Sequence, residues 1–342
     1  MIRVSVVGTG YWGQNLVRNY HSLGALKQVC DLNPSALESV EYAYPEVRVT
    51  RHYTDLLSDP ETQGIIVATP AASHFHFAQQ ALEAGKDVYV EKPLALEIDH
   101  ARALVELARK QKRILMVGHL LQYHPAFLYL KNLVTTGELG KLQYLYSNRL
   151  SLGKIRREEN ALWSFAPHDI SMILALTQQL PMEVDSFGSN VLQESVADVT
   201  NTFLRFADGL CGHILVSWLH PFKEHKLVVI GDRQMAVFED SLPWGQKLAL
   251  YPHLVTWEDG IPVPLKSTVQ YPRLNPAEPL ALQCKHFLDC IESRQSPNTD
   301  GEEGLRVLEV LDRAQRSLQA TARPRFPNPH VEAAALYGKN QR

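Results

Sequence analysis

The stretch IRVSVVGTGYWGQNLVRNYHSLGALKQVCD, residues 2–31, decides the fold. An apolar, β-rich run at 2–7 enters Gly8-x-Gly10-x-x-Gly13. An amphipathic helix pattern follows, then a second apolar run that ends in Asp31. Strand, glycine turn, helix, strand and acid, in that order, make a dinucleotide-binding βαβ unit. Gly8 permits the tight turn off the strand, Gly10 lets the backbone approach a pyrophosphate, and Gly13 lets the helix pack close to the strand. The helix N-terminus offers free N–H groups to the phosphates. Asp31 lies roughly 20 residues on, where a carboxylate accepts from a ribose 2′-OH and repels a 2′-phosphate. NAD is therefore expected rather than NADP. Asn33, and the lack of an arginine right after Asp31, agree. Tyr11 and Trp12, inside the turn, are counted among the cofactor contacts.

A chain of 342 residues suggests two domains. Apolar content of 45% and charged content of 21% are those of an ordinary globular protein. The net charge of −3, without a long basic run, argues against nucleic acid and anionic membrane as partners. Four scattered cysteines form no CxxC and no zinc spacing, so no metal is expected. The first residues read as a strand rather than a signal peptide, and no apolar run reaches membrane-spanning length. The cytoplasm follows as the expected location.

The first part alternates strand (2–7, 27–30, 47–50, 64–68, 87–90, 114–117) with helix (12–21, 34–43, 54–58, 74–84, 98–111). That alternation predicts a parallel sheet covered on both faces, a Rossmann domain over 1–120. A helix at 125–135 ends in TTGELG. Then come longer, alternating runs at 142–150, 183–191, 199–206, 210–218, 226–230, 235–239 and 247–251. They predict an α/β domain over 121–325 built on a large, mainly antiparallel open sheet. One helix, 167–176, interrupts it; the proline-rich 251–279 reads as a loop, and helices return at 277–291 and 304–320. Residues 326–342 read as a patternless tail. The free face of such a sheet suits self-association, so a homodimer or homotetramer is expected.

Three clusters carry chemistry. Glu91-Lys92-Pro93 follows a parallel strand, at the carboxyl edge where open α/β sheets bind ligands. Lys92 is thus placed at the rim of the cofactor cleft, where burial suits it to proton transfer. Proline fixes the geometry of the residue before it, and the bond itself is open to cis. Ala68-Thr69-Pro70, with Ser73 and His74, is expected beside the nicotinamide, with Ser73 as a helix cap. In NALWSFAPHD (160–169), Pro167 is read as starting a helix with His168 and Asp169 in its first turn. The helix dipole there would keep the imidazole neutral. Arg149, Lys154, Arg156 and Arg157 suit a diphosphate clamp, or a solvated charged loop. Asn160, Trp163 and Asp169 join them as substrate-side candidates, with Trp163 stacking on a sugar or simply packing.

GTGYWG, VATPAASH, VEKPLA and GELGKL, with the later histidine, occur together and in order. In these motifs the chain resembles the glucose–fructose oxidoreductase/inositol dehydrogenase (Gfo/Idh/MocA) family, to about residue 320. LMVGHLLQYHPA, SNRLSLG, NALW…APHD and VSWLHP resemble the branch acting on nucleotide-linked amino sugars, the UDP-N-acetylglucosamine or UDP-N-acetylglucosaminuronate 3-dehydrogenases of surface-polysaccharide synthesis. The resemblance implies that Lys92 and His168 frame the oxidised carbinol. It also exposes a departure: Ser164 stands where the family usually has aspartate. A non-catalytic dinucleotide-binding regulator, a free-sugar or inositol dehydrogenase and a ketosugar reductase remain open alternatives.

Overall fold

The computed structural model describes residues 2–321, so the 326–342 tail lies outside the described residues. The chain opens with β1 (Val4–Val7), α1 (Gly13–Ser22), β2 (Leu26–Cys30), α2 (Pro34–Ala43), β3 (Arg48–Thr50) and α3 (Tyr53–Ser58). It continues through β4 (Gly64–Val67), α4 (His74–Glu83), β5 (Asp87–Val90), α5 (Ile98–Gln111) and β6 (Leu115–Val117). The sheet runs β3-β2-β1-β4-β5-β6, with parallel pairing throughout. Strands β1, β4 and β5 are buried along their whole length, as a sheet covered on both faces requires. The order reverses between β1 and β4, which places the ligand crevice beyond their carboxyl ends.

The second unit comprises α6 (Pro125–Thr135), β7 (Leu142–Leu150), α7 (Ala161–Thr177), β8 (Glu183–Ser189), β9 (Val199–Arg205), β10 (Cys211–Ser217), β11 (Glu224–Gly231), β12 (Met235–Glu239) and β13 (Leu248–Tyr251). Its seven-stranded sheet runs β13-β12-β11-β7-β10-β9-β8. All neighbours are antiparallel except β7 and β10, which run parallel because α7 lies between them in the chain. Alternate residues such as Leu145, Ser147 and Arg149 of β7 are buried, and Tyr144, Tyr146 and Asn148 face outward, half-exposed. Helices therefore cover one face only.

Two expectations need correction. The proline-rich stretch is not all loop, since β14 (Leu254–Glu258) and β15 (Ile261–Leu265) form a separate hairpin. The helix read as starting at Pro167 begins six residues earlier. Asn160 is its N-cap, accepting from the Trp163 N–H at 3.1 Å, and Pro167 sits inside α7. A side-chain cap is the stronger start signal here, and the helix tolerates one missing donor.

The chain then returns. α8 (Pro279–Ser293) packs against the first sheet, where Leu280, Cys284 and Phe287 share one apolar cluster with Val4, Ile66, Tyr89 and Met116. α9 (Gly301–Thr321) lies against α5, α7 and β8 and joins the two sheets' helices.

Candidate active site

The glycine turn has the geometry of a phosphate cradle. Gly8 has φ +93°, and a Cβ there would stand 2.7 Å from the Ala68 carbonyl. A Cβ at Gly13 would stand 2.1 Å from the Gly8 oxygen. Gly10 differs, because a Cβ there meets no protein atom within 4 Å. Fold packing thus demands two of the glycines, and the third borders open space that a bound pyrophosphate would fill. Gly13→Ala should therefore destabilise the fold by about 1–3 kcal/mol. Gly10→Ala should leave the melting temperature unchanged and weaken NADH binding about tenfold or more, measured by fluorescence titration.

Asp31 closes the other end. Its Oδ2 accepts from the Thr9 N–H at 2.6 Å and the Thr9 hydroxyl at 2.8 Å, and its Oδ1 from the Asn33 N–H at 2.8 Å. Burial opposes its ionisation, but these hydrogen bonds outweigh it and hold the carboxyl below its ordinary value. A permanent anion therefore stands where a ribose would lie.

Tyr11 is 93% exposed. Trp12 is also exposed, and its Nε1–H donates to Glu91 Oε1 at 2.7 Å. Tyr89 donates to the same oxygen at 2.9 Å. Glu91 thus ties the glycine turn to the Glu91–Pro93 step rather than reaching for a ligand, and burial holds its carboxyl above its ordinary value. Thr69 accepts from the Ser73 hydroxyl at 2.8 Å, with Pro70 exposed beside it. Ser73 does not cap α4 with its side chain, contrary to the sequence reading, because its backbone (φ −102°, ψ −7°) is already helical rather than extended; its hydroxyl also lies 2.8 Å from the Pro70 carbonyl. His74 is buried, its ring nitrogens 2.7 Å from the Pro93 carbonyl and 2.8 Å from that of Thr69. It is a strut between two strand ends, not a surface for the cofactor.

The Lys92–Pro93 bond is cis. Lys92 Nζ donates to the Ser164 carbonyl at 3.1 Å, which brings the rim of the first domain to α7 of the second. Ser164 and His168 lie one turn apart on the same face of α7. Burial pulls Lys92 below the ordinary lysine range, against the attraction of Glu159 and Glu91. His168 lies well below its ordinary value, through burial first and then the charges of Lys92 and Arg149. The imidazole is neutral as expected, but for another reason. His168 stands mid-helix, beyond reach of the N-terminal dipole, so desolvation and neighbouring cations act instead. Its Nδ1 is buried without a hydrogen-bond partner.

Behind His168 the expected substrate ligands have other work. Arg149 and Asp169 are both buried and bind each other, Nε to Oδ2 at 2.7 Å and Nη2 to Oδ1 at 3.1 Å. The Ser147 hydroxyl completes Asp169, and Arg149 Nη1 also lies 3.1 Å from His225 Nδ1. Arg149 is thus not free to clamp a diphosphate, nor Asp169 to reach a substrate. Asn160 and Trp163 both donate to Gln315 Oε1, at 2.9 and 3.0 Å, which anchors the start of α7 to α9. Arg156 pairs with Glu159 at 3.0 Å, while Lys154 and Arg157 are exposed. Arg157, Ile155, Leu192 and Gln193 line a cavity of about 460 Å³.

A polar group that the sequence reading missed lies on the other flank. His119 Nδ1 meets Glu303 Oε2 at 2.5 Å, and the Gln122 amide and Ser171 hydroxyl each donate to Glu303 Oε1 at 2.7 Å. All four are buried. They come from three segments, the turn at 119–122, α7 and α9, and no local pattern in the sequence joins them.

Residues 2–119 match the GFO_IDH_MocA oxidoreductase family, NAD-binding Rossmann fold, and residues 127–237 match the GFO/IDH/MocA C-terminal domain. The chain is 26% identical over 321 residues to UDP-N-acetylglucosamine 3-dehydrogenase of Acidithiobacillus ferrooxidans, covering 93% of this chain and 98% of that protein. A solved structure of that enzyme superposes with a TM-score of 0.82 at 24% identity, over 93% of this chain and 98% of the other. The scyllo-inositol 2-dehydrogenase (NAD⁺) of Bacillus subtilis is also 26% identical, over 65% of this chain and 68% of that protein.

Proposed function

The chain belongs to the Gfo/Idh/MocA oxidoreductase family, with an NAD-binding Rossmann fold at its N-terminus, and from that premise we propose that it oxidises a ring hydroxyl, at carbon 3, of a nucleotide-linked amino sugar. One observation carries the reading. Lys92 at the cofactor rim reaches the same helix face as neutral His168, whose buried Nδ1 has no partner. Such a pair suits an alcohol that must lose a proton and a hydride together.

When bound, NAD accepts the hydride. The residues here do the rest. Asp31 receives a ribose, which favours NAD over NADP. The Gly8–Gly13 turn holds the pyrophosphate. Lys92, as an ammonium, steadies the oxygen as negative charge develops on it. His168 takes the hydroxyl proton, since an already neutral imidazole has capacity for it. Ser164 supplies its carbonyl to Lys92 and no carboxylate, so the proton leaves by His168 or solvent.

The nucleotide-linked substrate is supported by the exposed cations Lys154 and Arg157 and by similarity along nearly the full length of a UDP-sugar enzyme. The outward sheet face, with half-exposed Tyr144 and Tyr146, supports self-association as a homodimer or homotetramer.

Mixing protein, NAD and a panel of UDP-sugars should raise absorbance near 340 nm with one of them. Tight NAD binding with no change for any sugar would leave a regulator. Arg157→Ala should raise KM for the UDP-sugar about tenfold, the worth of one phosphate contact of about 1.4 kcal/mol. A neutral polyol oxidised equally well by both forms would make the enzyme an inositol or free-sugar dehydrogenase.

A further inference from the structure

The hairpin of β14 and β15 is built for a partner. Its turn, Asp259-Gly260, has φ +47° and +79°, the paired positive values of a two-residue type I′ hairpin. Its cross-strand pairs are Leu254–Leu265, Val255–Pro264, Thr256–Val263, Trp257–Pro262 and Glu258–Ile261. Apolar side chains therefore occupy both faces. Trp257 is 70% exposed and Ile261 64%. Among the described residues, no hydrogen bond joins 254–265 to any other element. An isolated two-stranded hairpin is marginal in water, and one that is apolar on both sides needs cover.

The prolines say how it is covered. In a two-residue hairpin the pair beside the turn, Glu258 and Ile261, is the hydrogen-bonded kind. Residues 262 and 264 then fall at the alternate positions, where the N–H points outward. Proline at both removes every donor from that stretch of the outer edge of β15, which blocks strand addition there. Contact through the side-chain faces remains.

The place of the hairpin says what covers it. It leaves the second sheet from edge strand β13 and rejoins it where Gln270 pairs with Leu250. The opposite edge of the same open face carries Phe187 of β8, 52% exposed, and Phe203 of β9, 46% exposed. Arg205, exposed beside them, pairs with Glu183 at 3.2 Å. A two-fold axis along the strands, between two facing sheets, lays β13 of one copy over β8 of the other. We propose that residues 254–265 form an arm that reaches across this interface and packs on Phe187 and Phe203 of a second copy of the chain. The acids Glu258 and Asp259 at its tip then approach Arg205 of the second copy. The arm rests on the self-association proposed above and adds its orientation.

Sedimentation of the full chain tests it. Trp257→Ser with Ile261→Ser should raise the self-dissociation constant about 30-fold or more, the loss expected of a central aromatic anchor. NADH affinity should not change. Cross-linking fixes the contact in a Cys211→Ser background, the other three cysteines being buried. A mixture of Trp257→Cys and Phe187→Cys chains, treated with a bis-maleimide of roughly sheet-spacing reach, ~10 Å, should yield mixed dimers. Neither chain alone should yield them. If Tyr146→Asp dissociates the oligomer while the arm variant associates like the parent, the arm is wrong and the sheet interface stands. A parent chain that sediments as a monomer overturns both.

Discussion

Lys92→Met should lower turnover about a hundred-fold or more and leave NADH affinity within about twofold, because the ammonium supplies the charge that stabilises the developing alkoxide, an effect worth roughly a hundred-fold to a thousand-fold. Methionine keeps most of the stem and removes the ammonium, so the site loses charge without a large cavity. The hydrogen bond to the Ser164 carbonyl is lost with it. On the proposed reading the glycine turn and Asp31 hold the cofactor on other strands, so binding should survive. A second readout separates this role from a merely structural one. The Lys92 charge helps to hold His168 below its ordinary pKa. Removing it lets the imidazolium form more readily, so the His168 pKa rises. The acid limb of the residual activity must then move to higher pH. In the parent enzyme oxidation should show no titration near the ordinary histidine value, because His168 is already neutral there. Single-turnover rates at several pH values check both statements. An unchanged rate, or an acid limb that stays put, would refute the assignment.

The sequence was legible where local chemistry is strong. Pro34 and its Asn33 cap mark α2 to the residue, since proline suits a first turn and asparagine accepts from Ser35. The central parallel strands announced themselves as short apolar runs, because a sheet buried on both faces needs nothing else. The same local reading failed at α7. Pro167 looks like a first-turn residue, and only the Asn160 cap, with Gln315 arriving from 155 residues away, shows the helix already under way. The hairpin at 254–265 was hidden by its prolines, which sit where no ladder bond is needed. Lys92 and His168 were both recognisable, and the fold brings them to one helix face. Their neighbours were not recognisable. Arg149 and Asp169 stand on different elements, and no spacing rule says that they neutralise each other. The His119–Glu303 contact spans 184 residues and has no sequence signature at all. Long-range polar partners are chosen by tertiary packing, which a linear pattern does not encode.

The Arg149–Asp169 pair gives the second large effect, on stability. Both side chains are buried, and each satisfies the other through two hydrogen bonds. Arg149→Met leaves a carboxylate in the interior with only the Ser147 hydroxyl to answer it. An uncompensated buried charge costs about 3–5 kcal/mol, which in a chain of this size lowers the melting temperature by on the order of 10 °C. Asp169→Asn should cost a similar amount, because it leaves the buried guanidinium without a counter-charge and turns an amide N–H toward one of the Arg149 donors. The double change Arg149→Met with Asp169→Leu should recover most of the loss, since an apolar pair has no charge to bury. That recovered protein then isolates the electrostatic role of the pair. It lacks a cation that lowers the His168 pKa, and its acid limb should shift upward as it does without Lys92. It keeps the Lys92 ammonium, so its rate above that limb should stay within about tenfold of the parent. Thermal melts followed by a pH profile of the double variant decide the matter. If the single Arg149→Met chain melts with the parent, the pair is no structural keystone. If the double variant is stable yet inactive at every pH, Arg149 or Asp169 touches the substrate directly, and the diphosphate clamp expected from the sequence returns.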